Sequence, residues 1–373
     1  MIEVRRIADW AHASALKNEW NAMVNAGAGG DVAVPSLFQT FEWHDLWWKA
    51  FGGSDSELLL LAAFDGTKLV GIAPLIIGRK KFPIPSKVLR FIGVGNFASD
   101  YCSFILTPGR EEILPTFFIW LDAHPELWDE LELTNLLENS ADIPALEKKF
   151  AGLSKLYYVC DAPTRFLGNP DEDRELVNKK SLKRHYNWFK NQGTLTHKHW
   201  DTKEDIHARL DGFFEQHIGR RALVRDTSQF TQEAHRNFYR TLVDTMAPLG
   251  WLRFFTVELN GETFAHHFGF EFAGKFYWYK PCFDSKLVKK SPGEVLLKAL
   301  FEDSISRKLK EFDFTAGSEA FKYRFSNRVR KLYQFRAFRT SSRYALFKAE
   351  ISSRAMLSQI LKPFRKKTED VNL

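Results

Sequence analysis

The chain has 373 residues, of which 45% are hydrophobic and 15% aromatic, and carries a net charge of +7. That length is comfortable for two domains, and that apolar content excludes a disordered or fibrous chain. No uncharged apolar run approaches the ~18 residues of a membrane span, and the charged N-terminus lacks a signal-peptide core, so a cytoplasmic protein is expected.

Cys102, Cys160 and Cys282 are odd in number and lack a CxxC spacing, which fits a reducing compartment and gives no zinc framework; no metal is expected. Phe38–Trp43 reads as a helix start, followed by an aromatic helix through Trp47, Trp48 and Phe51. Apolar runs at 57–64 and 69–77 flank Asp65-Gly66, a hairpin signal. Strands are expected around 88–94 and 101–106, then a helix near 111–123 and a strand at 130–136.

A second series follows. Helices are expected near 203–218 and 231–247, and strand 252–259 turns at Asn260-Gly261 into 263–272. Ala273-Gly274 leads into 275–280, and a helix from Pro292 to about Lys308 precedes FDFTAG at 312–317. Each half thus reads as helices, an antiparallel meander, one helix and a strand, and LELTN at 131–135 echoes FDFTA at 312–316.

Within the second series, Ser291-Pro292-Gly293-Glu294 predicts a helix start, with Ser291 as N-cap, Pro292 in the first turn and Glu294 closing a capping box. Gly293 lets a ligand approach the free amides, which suit a phosphate, and Lys286, Lys289 and Lys290 add positive charge. An ordinary capped helix accounts for the same spacing. The basic charge is clustered: residues 179–198 hold six Lys/Arg and no acid, and residues 320–349 hold nine and no acid. Base–aromatic interleaving in the second stretch suits nucleic acid, anionic lipid or a phosphorylated ligand, and equally a solvated face over packed aromatics. The tail Leu361–Lys367 is basic enough to touch a membrane surface and too short to anchor alone.

Residues 181–322 resemble the BioF2-like/CelD acetyltransferases of the GNAT superfamily, which are related to the FemAB peptidyltransferases. The resemblance is carried by LKRHYNWFKNQG (182–193), FFEQHIGRRA (213–222), NGETFAHHFGFEFAGKFYWYKPCFD (260–284), SPGEVLLKAL (291–300) and FDFTAGSEAFK (312–322). FQTFEWHDLWW (38–48) and SDYCSFI (99–105) extend it toward the N-terminus.

The resemblance implies an α/β (α+β) fold of two tandem GNAT-like domains with mixed sheets and helices on both faces. Residues 1–160 form the first domain, for acceptor binding or structure; 161–345 form the donor-binding domain, and 346–373 a basic helix and tail. It implies transfer of an acyl group from acyl-CoA, such as acetyl-CoA, to an amine or hydroxyl of a carbohydrate or exopolysaccharide precursor. A peripheral contact with the inner membrane or a polysaccharide-synthesis complex is compatible with this. The FemAB relationship keeps aminoacyl-tRNA as an alternative donor, and a non-catalytic scaffold is a third reading. The usual Arg/Gln-x-x-Gly-x-Gly/Ala phosphate loop is replaced by Lys290–Val295, with one glycine and an acid.

Such chemistry needs a base for the acceptor and a donor for the oxyanion. His267, beside small Ala265 and Gly269, is the better general-base candidate, whereas His266 shares its face with phenylalanines and reads as core. Asp284 is a second base candidate, although loop aspartates commonly build turns. Tyr279, with Tyr277 on the same face, is the candidate to protonate a leaving thiolate, or a packing aromatic. Lys290, Ser291, Pro292, Gly293 and Glu294 are assigned to the donor, and the resemblance adds Lys322. In the first half Trp43, Asp100 and Tyr101 are acceptor candidates, with Trp43 and Trp47 also read as glue between helix and sheet.

Overall fold

In the computed structural model the described residues are 2–27, 36–53, 55–81, 84–95 and 98–361. The basic tail expected over Leu361–Lys367 lies outside them beyond its first residue. Strand β1 (Ile2–Ile7) and helices α1 (Trp10–Ser14), α2 (Lys17–Gly27) and α3 (Phe41–Phe51) lead to β2 (Ser56–Asp65), β3 (Lys68–Lys80) and β4 (Ser86–Phe91). Next come β5 (Ile105–Leu106), α4 (Leu114–Ala123), β6 (Glu130–Leu137), α5 (Asp142–Lys149) and β7 (Ser154–Phe166). Helices α6 (Pro170–Val177) and α7 (Lys180–Lys190), β8 (Leu195–Trp200), α8 (Lys203–Leu223) and α9 (Glu233–Met246) open the second series. It continues with β9 (Leu252–Leu259), β10 (Glu262–Phe272), β11 (Lys275–Phe283), α10 (Pro292–Ser306) and β12 (Glu311–Asp313). Helix α11 (Ala320–Phe325), β13 (Arg328–Phe338) and α12 (Ser341–Leu361) complete the described chain.

The described residues divide into two compact units, those of 2–159 with 331–361, and those of 160–330. Residues 331–345, expected to close the second domain, pack with the first unit. The path changes unit inside β7 and again inside β13.

Each unit repeats one order of elements: a strand, helices, three antiparallel strands, a helix, and a strand parallel to the last of the three. In unit 1 the strands lie β1-β2-β3-β4-β6-β13, with β5 beside β3; in unit 2 they lie β8-β9-β10-β11-β12-β7. The parallel contacts are short. β4 meets β6 only at Val88–Leu89, and β11 meets β12 only over Lys275–Tyr277. Beyond these residues the two neighbours no longer pair.

The hairpins form for a local reason. Asn260 and Gly261 both adopt positive φ, 54° and 86°, the pair of left-handed residues whose twist matches two right-twisted strands. Packing fixes the rest. Unit 1 buries Leu59, Leu61, Leu75, Leu89 and Phe91 of its sheet against Phe117, Phe118 and Leu121 of α4. Unit 2 buries Phe255, Val257, Phe276 and Trp278 against Val295, Leu296, Leu300 and Phe301 of α10.

The run 101–106 differs from the single strand expected: only Ile105–Leu106 is strand. Residues 99–102 instead bridge to the end of β6. Cys102 N–H donates to Asn135 C=O at 3.0 Å, and Asn135 Nδ2 donates to Ser99 C=O at 2.8 Å. The chain itself thus takes up polar groups at the end of β6, past its contact with β4. Trp43, buried beneath, donates from Nε1 to Ser99 Oγ at 2.8 Å.

Candidate active site

The matching place in unit 2 is open. A small cleft of about 110 Å³ lies there. Its wall on β11 is Trp278, Pro281 and Phe283. Val288, Ser291, Gly293, Glu294 and Leu297 form the side leading into α10, and Phe321 and Arg324 of α11 the other. Arg220, from the last turn of α8, completes the lining.

Strand β11 reaches this position through a bulge. Phe268 faces Lys280 and Phe270 faces Tyr277, so β11 holds one more residue than β10 between these pairs. The N–H of Tyr279, displaced from the ladder, donates to His267 Nε2 at 3.2 Å. His267 therefore serves the backbone, which corrects its reading as a general base. Its ring is fully buried, stacks between Phe276 and Trp278 at 5.3 and 4.9 Å, and fills the space that a Cβ on Gly269 would enter. The room expected beside Gly269 is occupied by the histidine itself. Burial depresses its pKa to about 3.

His266 is core as expected: Nδ1 bonds Gln216 Oε1 at 2.8 Å, and burial lowers its pKa to about 4. Tyr279 is buried, 6.3 Å from the Tyr239 ring and stacked on it, away from the cleft lining. Asp284 caps the 3₁₀ turn Ser285–Lys290, accepting from Lys286 N–H at 2.9 Å. None of the three expected catalytic side chains lines the cleft.

The start of α10 departs from a capping box. Ser291 is left-handed at φ 54° and ψ 56°, and its hydroxyl makes no cap bond. The preceding 3₁₀ turn closes on it through Ser291 N–H to Val288 C=O at 3.1 Å, which sets this backbone. Pro292 occupies the first turn as expected. Glu294 turns to α11, where Arg324 Nη2 donates to its Oε1 at 2.7 Å. Its Oε2 is buried with no hydrogen-bond partner. The carboxylate is thus met by one guanidinium, and its second oxygen is unpartnered. Gly293 is open on its cleft side, a Cβ there meeting only the Phe283 ring at 3.5 Å.

Lys290 points elsewhere, its ammonium 4.7 Å from the Trp188 ring centre. Lys322 is buried and binds its own loop: Nζ donates to Ala316 C=O at 3.0 Å and pairs with Glu319 at 2.9 Å. Gly317, at φ 133°, permits that fold-back, since a Cβ would strike the Glu319 carboxylate. Asp100 is half-buried; after burial, its charge pushes the Cys102 thiol further up. Trp43 and Tyr101 are buried in unit 1, so neither offers a face to a sugar. Cys282 is buried near Phe213 C=O, and burial raises its thiol pKa, which removes it as a nucleophile.

Of the residues assigned to the donor, Ser291, Gly293 and Glu294 line the cleft. Arg220, Trp278, Phe283 and Arg324 were missed. Arg324 lies two residues past Lys322 in the acid-free run, and Arg220 lies in FFEQHIGRRA, so both stood in segments that signal a ligand without themselves being distinguished. Among the described residues no group of three His, Cys, Asp or Glu side chains is placed to hold a metal.

A bulged strand paired only briefly with a parallel neighbour, with a cleft running to a helix start, defines the class: a GNAT/FemAB-like acyltransferase fold. Residues 178–323 match the family described as Acetyltransferase (GNAT) domain. Among solved structures the chain is similar to FemX, at 13% identity and TM-score 0.62, over 92% of this chain and 99% of that one. It is similar to a tandem GNAT protein from the clavulanic acid biosynthesis pathway, at 13% identity and TM-score 0.52, over 90% and 98%. A third likeness is to the C-terminal domain of a putative lysylphosphatidylglycerol synthetase from Agrobacterium fabrum, at 9% identity and TM-score 0.53, over 91% and 96%. No curated protein matches. The chain is an acyltransferase by its matched domain, with two GNAT-like units in tandem. No helix among the described residues is long and apolar enough to cross a membrane.

Proposed function

We propose that unit 2 binds acyl-CoA in the α10 cleft and passes its acyl group to an amine or hydroxyl of a carbohydrate or cell-envelope precursor. The observation that carries the donor assignment is the cleft itself: it lies between α11 and the part of β11 past its contact with β12, and runs to a helix start bared by Gly293. Apolar Trp278, Phe283, Leu297 and Phe321 suit the arm of such a donor, and the unbonded Glu294 oxygen accepts an N–H or O–H from the ligand. The acceptor heteroatom bonds to the acyl carbon, the carbon–sulfur bond breaks, and the acceptor's proton leaves to solvent or thiolate. Orientation supplies most of the rate, because the expected bases are buried or used as caps. The carbohydrate acceptor rests on the sequence resemblance.

Isothermal titration with acetyl-CoA and longer acyl-CoAs tests the donor. Micromolar binding is expected for the wild type and for Gly293→Ala, and loss in Gly293→Trp, whose indole fills the cleft. No binding by the wild type removes the CoA reading.

A second reading, aminoacyl-tRNA as donor, is favoured by one observation. Lys180, Lys183 and Lys190 of α7 and Lys286 and Lys289 of the 3₁₀ turn are exposed and form no ion pair among the described residues. Unpaired cations suit a phosphodiester backbone, and RNA binding that falls steeply with salt supports this alternative.

A further inference from the structure

Two guanidinium groups line the α10 cleft, and their situations differ. Arg324 is paired with Glu294 at 2.7 Å; Arg220 is paired with no carboxylate among the described residues. Its protein acceptor is the Pro281 carbonyl, 3.2 Å from Nη1, and its Cζ stands 5.2 Å from the Phe283 ring centre. Nε is sealed from solvent and has no partner. Glu319, whose charge reaches Arg220 through space, is held by Lys322 at 2.9 Å. The neighbouring Arg221 behaves ordinarily, pairing with Asp226 at the surface.

Shielding a cation without a counter-ion is costly, and desolvation already holds Arg220 below the usual arginine pKa. An arginine stays charged and cannot relieve that cost by losing its proton at neutral pH. The last turn of α8 offers some compensation through the helix dipole and the Pro281 carbonyl takes one N–H, yet Nε stays unpartnered and no carboxylate among the described residues meets the guanidinium.

We infer that Arg220 is the anion receptor of the cleft, taking a carboxylate or phosphate oxygen of the bound substrate. A planar fork that faces a cleft matches both oxyanions in two-point contact, which a lysine does not reproduce. The anion comes from one of two sources, the phosphates of the donor or an acid group on the acceptor. The inference rests on the cleft being the substrate site, and does not require CoA as donor.

The test uses the full chain, Arg220→Gln and Arg220→Lys, titrated with inorganic pyrophosphate, succinate, CoA and pantetheine, and followed by calorimetry and thermal denaturation. The wild type is expected to bind pyrophosphate or succinate, and Arg220→Gln to bind the same anion at least about tenfold more weakly, the size of a lost charge-assisted contact. Arg220→Lys, which keeps the charge, should also bind more weakly than the wild type. Unliganded Arg220→Gln should melt no lower than the wild type, because a shielded charge has been removed. If CoA loses its advantage over pantetheine in Arg220→Gln, the anion is the donor's phosphate. If CoA binds both proteins alike while succinate binding is lost, the anion belongs to the acceptor. Failure of CoA to bind the wild type ends the CoA reading and leaves the anion arms informative. The inference is overturned if no anion binds the wild type, or if Arg220→Gln melts lower with its anion affinity unchanged.

Discussion

At Ser291 and His267 the side chain's role differs from the one that its neighbours in sequence suggest. A serine that caps a helix stabilises it by about 1 kcal/mol, but the left-handed Ser291 makes no such bond. Ser291→Ala is therefore expected to change the unfolding free energy by less than about 0.5 kcal/mol in urea, and a loss near 1 kcal/mol would restore the cap. His267 bears on acid stability. Burial holds it at about 3, His217 at about 3 and His266 at about 4, all below the 6.5 of a free imidazole. Between those values the unfolded chain binds the extra protons, so the stabilisation is complete above about pH 6.5 and is lost as pH falls toward 4. Denaturation midpoints measured from pH 7.5 to 4.5 should fall accordingly, with a shallower slope in His267→Gln, which can still accept from Tyr279 N–H and does not titrate. An unchanged slope would show that His267 takes up its proton in the folded state as readily as in the unfolded one.

The short parallel contact between β11 and β12 holds the cleft open, and it is anchored by charge. Glu311, Asp313 and Arg330 are all buried; Arg330 Nη1 lies 2.6 Å from Glu311 and 3.6 Å from Asp313, and Lys275 is 3.6 Å from Glu311. Thr164 of β7 donates to the same Glu311 oxygen at 2.7 Å. Removing one member leaves buried charge unmatched, so Arg330→Met is expected to cost about 3–5 kcal/mol. Adding Glu311→Gln should return part of that loss in a double-mutant cycle; strict additivity would mean that the two groups act separately. Elements of this kind divide into those legible in sequence and those not. The hairpins at Asp65-Gly66, Asn260-Gly261 and Ala273-Gly274 were legible, because turn residues and flanking apolar runs are local. The helix from Pro292 was legible too, through Pro and Gly in its first turn. The β11 bulge was not, since it follows from His267 accepting a displaced N–H across the sheet. Nor was the partner of Glu294: thirty residues separate it from Arg324, and only the fold brings α11 to α10.

Across the whole molecule the repeat was legible as an order of elements, and so was the change of unit within β7, whereas the membership of β13 was not. β7 follows the last helix of the first series and yet gives Thr164–Phe166 to β12 in unit 2. β13 follows the second series and pairs with β6 in unit 1 from Leu332 to Phe338. The cut at 160/161 falls within one residue of the change of unit inside β7, whereas the cut at 345/346 assumes that β13 stays with the helices it follows, and no local signal says otherwise. The consequence for stability is specific. Phe335 and Ala337 of β13 are buried in the core of unit 1, and Arg336 bonds the buried Glu130 at 2.8 Å. A chain ending at Arg330 contains every residue of unit 1 up to Val159 and lacks this strand, leaving the β6 edge unpaired and part of its core exposed. It should be cleaved within residues 1–159 by dilute protease under conditions that leave the full chain intact, and should unfold at lower urea. Adding Lys331–Ser353 back should restore resistance; equal resistance with and without those residues would mean that β6 closes unit 1 by itself.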